Sequence, residues 1–449
     1  LTNTELDLTN PDLTEVIVDL DNPAHKGTVI ARVGGFVVFV RGGLPGEKQV
    51  TVELDELTPA ETKRAAKGKL KFRTGAAVKI GTPSPHRVEP ECEATALGAG
   101  CCDLDLVDSQ GSMDFKRQVV IDQMQRIGGL EIPAEGGSLG EGSGSCDSTS
   151  LWPFAHYRTR VRLGVDAEGR AGIRKPKSHD ILPIAEAECV QWVTGLTDGI
   201  AQMDFTPGAE VIIAVGRDGQ RAAIETKKVG KRRINTVVEG AGLNPEGIIV
   251  QSHLGVTWEL PVQAFWQAHM SASAFYARWV ADRIPDSDGV VWDLYGGAGA
   301  LSAGIATKVA AIDIVDVASA ATDAGVAAFQ GFAERRQADT SETVADIRFV
   351  DGAVEKTLEQ LRHEPKLHAV ILDPPRTGAG KDVIASVAGY EPEHVIHVGC
   401  DPATAARDLA AWRNAGYQLA EMNIVDAFGM THHVETLMHF TRDGVAATD

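Results

Sequence analysis

From about Pro261 onward the chain alternates between short apolar runs and Ala-rich stretches, and this alternation restricts the fold more than any other feature. GVVWDLYGG, KVAAIDIVD, IRFVDG, HAVILDPP and HVIHVGC read as five strands, with helical runs such as VASAATDAGVAAFQGFAERR between them. Strand–helix alternation implies an α/β fold, a doubly wound parallel sheet in which ligands sit outside the carboxyl ends of the strands. Asp293, Asp316, Asp351, Asp373 and Cys400 stand at those ends and are expected to converge on one rim.

The alternation begins only after residue 260 of a 449-residue chain, so two or three domains are expected. Short β-branched runs broken by Gly, Pro and Asn fill Glu15 to Thr74, and they predict a small β-barrel of the oligonucleotide-binding kind over residues 1–80. Residues 81–260 read as a mixed α+β domain. There Phe115 to Leu130 has helical spacing, Tyr157 to Asp166 alternates like a strand, and the Gly/Ser-rich stretch 134–150 is expected to be a mobile loop. Residues 261–449 form the sheet domain.

A formal net charge of -19 argues against indiscriminate nucleic-acid binding, because phosphate contacts need Lys and Arg. Two basic runs depart from it. One is Lys63, Arg64, Lys67, Lys69, Lys71, Arg73 and Lys79; the other is Lys227, Lys228, Lys231, Arg232 and Arg233. They fit a local RNA-facing surface and equally a set of solvated charges. No apolar run reaches about 18 residues, so no membrane span is expected. The polar, acidic start leads to the expectation of a cytoplasmic protein. Six cysteines in such a chain point to catalysis, a metal or burial rather than to disulfides.

Three motifs carry chemistry. DLYGGAG, Asp293 to Gly299, is a strand feeding a glycine-rich turn, with Asp316 about twenty residues beyond the turn, at the next strand end, placed for a ribose hydroxyl pair. An acidic residue ahead of the glycines suits a cofactor without phosphate, such as S-adenosylmethionine; a tight turn with no ligand would look the same. DPPR, Asp373 to Arg376, stiffens a strand end and leaves Asp373 on the rim. Cys400 follows an apolar strand and precedes a helix start. A thiolate there could add to carbon 6 of a uracil and make carbon 5 nucleophilic, after which a base must remove the carbon-5 proton. Glu435, at the end of DAFGMTHHVE, supplies a carboxylate. Taken singly, Cys400 would pass for an inert buried thiol and Glu435 for a surface acid.

Together DLYGGAG, DPPR, GCDPATAARDL and DAFGMTHHVET resemble the RNA uracil-5-methyltransferase family of tRNA and 23S rRNA enzymes, and the early barrel resembles its TRAM domain. The resemblance implies a C-terminal Rossmann-like methyltransferase sheet, S-adenosylmethionine as methyl donor, and a structured RNA as partner, rRNA more than tRNA, with no membrane and no obligate protein partner. It implies Cys400 as nucleophile, Glu435 as base, and Gln267, Tyr295, Asp316 and Asp373 as donor-binding residues, Asp351 lying near the adenine side. It also implies a [4Fe-4S] cluster on Cys92, Cys101, Cys102 and Cys189, although the usual C-x-x-C has become adjacent Cys101-Cys102; zinc or no metal is the alternative. Cys146, inside the Gly/Ser stretch, is not expected to ligate. The chain has Gly296, Ala300 and Gly429 where many members have cysteine, asparagine and proline. An RNA cytosine-5 methyltransferase, a small-molecule methyltransferase and a non-catalytic RNA-binding protein are the competing readings.

Overall fold

The computed structural model describes residues 7–132, 145–230, 232–339 and 343–442. The first six strands are β1 (Glu15–Val18), β2 (Leu20–Ala24), β3 (Thr28–Val33), β4 (Phe36–Arg41), β5 (Val50–Leu54) and β6 (Phe72–Lys79), in the order β1-β5-β6-β4-β3-β2. Only Asp19 separates β1 from β2, the two outer strands, so the chain ties the edges together and the sheet curls into a barrel. Helix α1 (Pro59–Ala65) lies between β5 and β6, opened by a capping box of Thr58 and Glu61. Six cations of the first basic run are exposed. Arg73 is not a surface charge, however: it is buried and donates to the carbonyls of Leu13 and Asp55, closing the barrel.

The middle of the chain holds α2 (Glu93–Ala96), α3 (Ser109–Arg126) and β7 (Ser145–Ser150). Strands β8 (Arg160–Val165), β9 (Ala171–Arg174), β10 (Ile181–Pro183), β11 (Glu210–Val215), β12 (Arg221–Val229) and β13 (Arg232–Val237) then form an antiparallel sheet in the order β10-β9-β8-β11-β12-β13. The helix expected over 115–130 starts earlier, because Asp108 caps it by accepting from the Gly111 N–H. Lys227, Lys228, Arg232 and Arg233 sit exposed on the β12–β13 hairpin; Lys231 lies outside the described residues.

The Gly/Ser stretch needs correction. Residues 134–144 lie outside the described residues, but Ser145–Ser150 is a strand, pairing in parallel with Glu421–Asp426 of a later strand, and Cys146 is buried. Short polar residues carry little strand signal of their own; the edge of a neighbouring sheet supplies the hydrogen bonds that order them.

Strands β14 (Ile248–His253) and β15 (Val256–Pro261) form a hairpin that leads into α4 (Ala272–Arg283). The C-terminal elements follow in alternation: β16 (Val290–Leu294), β17 (Ala311–Asp316), α5 (Ser319–Asp339), β18 (Asp346–Asp351), α6 (Val354–Thr357), β19 (Leu367–Leu372), α7 (Lys381–Ala388), β20 (His394–Gly399), α8 (Pro402–Asn414), β21 (Tyr417–Asp426) and β22 (Glu435–Arg442). The sheet order is β18-β17-β16-β19-β20-β22-β21-β7. The five expected strands are β16 to β20, all parallel, and the chain reverses direction across the sheet between β16 and β19. That reversal opens a crevice at their carboxyl ends. β22 returns antiparallel beside β20.

Helix α3 ties the middle segment to this sheet. Lys116, fully buried, donates to Asp426 Oδ1 at 2.5 Å and to the Phe428 carbonyl at 3.1 Å, while Ser112 donates to the other Asp426 oxygen at 2.7 Å. Removing one partner of such a buried pair costs about 3–5 kcal/mol, because the other charge is left unpaired.

Candidate active site

The register of the sheet sets the site. Leu294 of β16 pairs with Leu372 of β19, so Tyr295 and Asp373 leave the sheet side by side. Gly399 of β20 pairs with Thr436 of β22, so Cys400 and Glu435 face each other across the antiparallel pair. Cys400 does not enter α8 because Asp401 caps that helix, accepting from the Ala403 and Thr404 N–H groups, and Pro402 fixes its first turn.

The expected donor-binding residues come together on this rim. Asp316 accepts from the Gly297 N–H at 3.0 Å and from the Ala318 N–H at 2.7 Å, which fixes both the glycine turn and its own carboxylate. Tyr295 sits at φ 63, a strained conformation for a non-glycine residue. Gln267 donates to Asp373 Oδ2 at 3.3 Å. It lies in the loop before α4, which begins at Ala272, close in sequence to the exposed ring of Phe265. Asp293 is sealed inside and accepts from Ser302 Oγ at 2.7 Å, so it shapes the loop from below. Asp351 stands exposed at the outer edge, where Thr322 donates to it.

Two departures from the family pattern have local causes. A Cβ at Gly296 would lie 2.7 Å from Ile314 Cγ2 and 2.8 Å from the Asp293 carboxyl carbon, and one at Gly429 would lie 2.1 Å from the Phe154 carbonyl oxygen. Neither position has room for a side chain in this chain.

The electrostatics are those of a dry, acidic rim. Burial, then Asp293 and Asp316, push the Asp373 carboxyl up to about 7; burial also pushes Asp293 up to about 7. Glu435 is buried and raised well above the carboxylate range, first by desolvation and then by Asp373. Burial, then Glu435 and Asp373, push the Cys400 thiol up to about 12, against the pull of Arg376. Such a cluster of acids stabilises a cation placed among them.

A cavity of about 280 Å³ opens at Cys400. One wall is the turn between β2 and β3 of the barrel, with His25, Lys26 and Gly27; another is Phe115 and Val119 of α3; a third is Arg376 with His432 and His433. His25 Nε2 lies 3.3 Å from Asp401 Oδ2, joining the barrel to the residue after Cys400. Arg376 lies 3.2 Å from His433 Nε2; burial, His432 and Arg376 hold that imidazole neutral by pushing it down to about 3. Sequence reasoning missed the barrel turn, for no local pattern reports a contact between segments so far apart along the chain.

The four cysteines meet as expected. Their sulfurs all lie within 4.8 Å of one another, with Cys92 to Cys101 and Cys102 to Cys189 both at 3.6 Å. Sulfur contacts pull Cys92 and Cys101 below the thiol range, whereas the contact with Cys101 comes first in pushing Cys102 and Cys189 up. Four thiols this close cannot all ionise against one another without a cation in their midst, which is the condition a metal satisfies. Gln191 donates to the Cys102 sulfur at 3.1 Å and to the Cys101 carbonyl at 2.6 Å.

Residues 246–443 match the family model described as tRNA (Uracil-5-)-methyltransferase, and residues 14–70 match the TRAM domain. An uncharacterized RNA methyltransferase of Corynebacterium efficiens is 39% identical, covering 96% of each chain. Another, of Corynebacterium glutamicum, is 39% identical over 95% of this chain and 97% of its own. The crystal structure of Pyrococcus abyssi tRNA (uracil-54, C5)-methyltransferase in complex with S-adenosyl-L-homocysteine shares the fold at a TM-score of 0.62 and 16% identity, over 95% of this chain and 99% of that one.

The raised thiol yields a direct expectation. Labelling of Cys400 by iodoacetamide, followed by peptide mass spectrometry, should keep rising with pH beyond about 10, where an ordinary thiol with a pKa of about 8.5 has levelled off. A plateau in the ordinary range would contradict the crowding of this thiol by Glu435 and Asp373.

Proposed function

The chain belongs to the RNA uracil-5-methyltransferase family, and we propose that it methylates carbon 5 of a uridine in structured RNA through a covalent bond from Cys400 to carbon 6. The observation that carries this reading is the pairing of Cys400 with Glu435 across β20 and β22, at a cavity beside the acidic rim. A small-molecule enzyme would have no use for a barrel turn lining that cavity.

S-adenosylmethionine supplies the methyl group on a sulfonium cation. Asp316 and the glycine turn would hold its ribose, Tyr295 its adenine side, and Asp373 with Gln267 the charged end. The rim's chemistry supports a cationic ligand, since its carboxyls are raised by burial and by one another. A cation in that place also lowers the cost of ionising Cys400, which in the free site stays protonated and unreactive.

The uracil must leave its stack to reach the thiol, and the exposed Phe265 ring offers a stacking face near Gln267. Lys26 and Arg376 at the cavity wall suit the adjoining phosphates. Cys400 Sγ, as the thiolate, bonds to carbon 6, and the electron pair displaced to carbon 5 takes the methyl group as its bond to the donor's sulfonium sulfur breaks and leaves a neutral thioether. Glu435 then accepts the carbon-5 proton; the freed pair restores the carbon 5–carbon 6 double bond and the carbon–sulfur bond breaks, returning the thiolate. The barrel carries the inference toward rRNA, while the matching family model is named for tRNA.

The four cysteines are inferred to hold a metal centre beneath the catalytic loop. The family resemblance gives a [4Fe-4S] cluster. The sulfur spacing favours a second reading, because thiolates bound at about 2.3 Å around one tetrahedral zinc stand nearly this close, whereas a four-iron cluster would have to part them. The centre's work is structural, holding Cys101–Asp103 against the loop that ends at Glu435.

Cys400→Ala should abolish methylation of RNA while donor binding, read by calorimetry, persists; turnover by this variant would exclude covalent catalysis. Glu435→Gln should accumulate a denaturant-stable protein–RNA complex on gels, and its absence would remove Glu435 as the base. Elemental analysis of anaerobically purified protein should find iron with acid-labile sulfide, or one zinc per chain if the spacing governs. Protein free of both metals would contradict the centre.

A further inference from the structure

Helix α4 lies on the face of the sheet from which Glu435 projects. Its Tyr276 is fully buried in a core shared with Val398, Val425 and Leu437. Val425 is the direct cross-strand partner of Glu435, and Leu437 is two residues further along β22, so these side chains surround the carboxyl on that face. Nothing in the reaction described above uses Tyr276, and packing alone would be served as well by phenylalanine.

Tyr276 Oη and Glu435 Oε2 are both sealed from solvent without a hydrogen-bond partner, as are Ser273 Oγ and Trp279 Nε1 on the same helix. A donor and an acceptor are thus both left unmatched at the same core, which is rare for buried polar groups in native proteins. Among the charges acting on the Tyr276 hydroxyl, Glu435 is the strongest, followed by Asp373, Asp426 and Cys400.

We infer that Tyr276 is a positioning residue for the base: its hydroxyl donates to Oε2 of Glu435 when that carboxyl ionises, and so holds the carboxylate for removal of the carbon-5 proton. Burial, then Asp373, raise Glu435 well above the carboxylate range, so its anion needs added stabilisation to form. A hydrogen bond to the charged form favours that form. The other groups facing Glu435 are Asp373 from the end of β19, which opposes ionisation, Arg376 from the following turn, which favours it, and Cys400 from the end of β20. The Lys116–Asp426 pair closes the neighbouring strand. Tyr276 is the neutral donor of the set, able to stabilise the anion without repelling the incoming donor cation.

The inference rests on Glu435 acting as the base, and the experiment separates the two claims. Wild-type protein and Tyr276→Phe are given S-adenosylmethionine and total RNA from cells lacking the protein, and the covalent complex is followed on denaturing gels as a function of pH. A parallel series uses RNA from such cells grown with 5-fluorouracil, whose carbon 5 has no proton to lose. Tyr276→Phe should form the fluorouridine complex at the wild-type rate. It should resolve the natural complex about tenfold more slowly, the loss expected for one hydrogen bond to a charged group. Its pH midpoint for resolution should move up by about one unit, since loss of the donor favours protonated Glu435. Wild-type resolution with an unmoved midpoint would overturn the inference, and so would failure of the variant to form the fluorouridine complex, which marks a packing defect. If wild-type protein itself forms no complex with fluorouridine RNA, the covalent reading fails and this inference falls with it.

Discussion

One buried ion pair holds the site in place. Lys116 and Asp426 have no solvent contact and meet at 2.5 Å, with Ser112 and the Phe428 N–H completing the carboxylate's hydrogen bonds. Asp426 ends β21, and the turn that follows carries Gly429, His432 and His433 to Glu435 at the start of β22. From this anchor the loop is pinned at three further points. Tyr157 donates to the Gly429 carbonyl at 2.9 Å, Leu104 donates to the Met430 carbonyl at 3.0 Å, and Asp103 accepts from the His432 N–H at 2.9 Å. Asp103 directly follows Cys102, and Tyr157 also bonds Gln191, which bonds Cys102. The four-cysteine cluster and the loop that ends at Glu435 are therefore held by one connected set of hydrogen bonds.

The second organising fact is a shortage of positive charge. Asp293, Asp373 and Glu435 are buried close together, and Arg376 is the cation that acts on the last of them. An arrangement of this kind costs stability in the free protein, because each carboxyl must stay protonated or repel its neighbours. The cost is offset when a cation enters, and the same cation makes the thiol easier to ionise. In the proposed reaction, ionisation of Cys400 would thereby be tied to donor occupancy, the thiol staying protonated in the free site.

Much of this was legible in the sequence, for a physical reason. Strands β16, β19 and β20 are buried on both faces and read as near-continuous apolar runs, and what ends each run is a residue that lies at the rim. The glycine turn, Asp316 and the Asp-Pro-Pro edge follow from local backbone demands. What escaped was set by distant partners. Ser145–Ser150 has no strand pattern and is ordered by β21. Arg73 belongs to a basic run by composition and to the barrel interior by its carbonyl partners. Gln267 lies in the loop before α4, and its bond to Asp373 joins two segments far apart along the chain. The barrel turn at His25 reaches the cavity only through the folding of the whole chain.

The measurement that bears most directly on the central claim is mass-spectrometric mapping of methylated nucleosides in total RNA from cells with and without this protein. The account predicts that loss of the protein removes the methyl group from carbon 5 of uridine at a defined position, and that Cys400 is required to restore it. A lost methyl group on cytosine or on a ribose, or RNA that is identical in both cells, would contradict it.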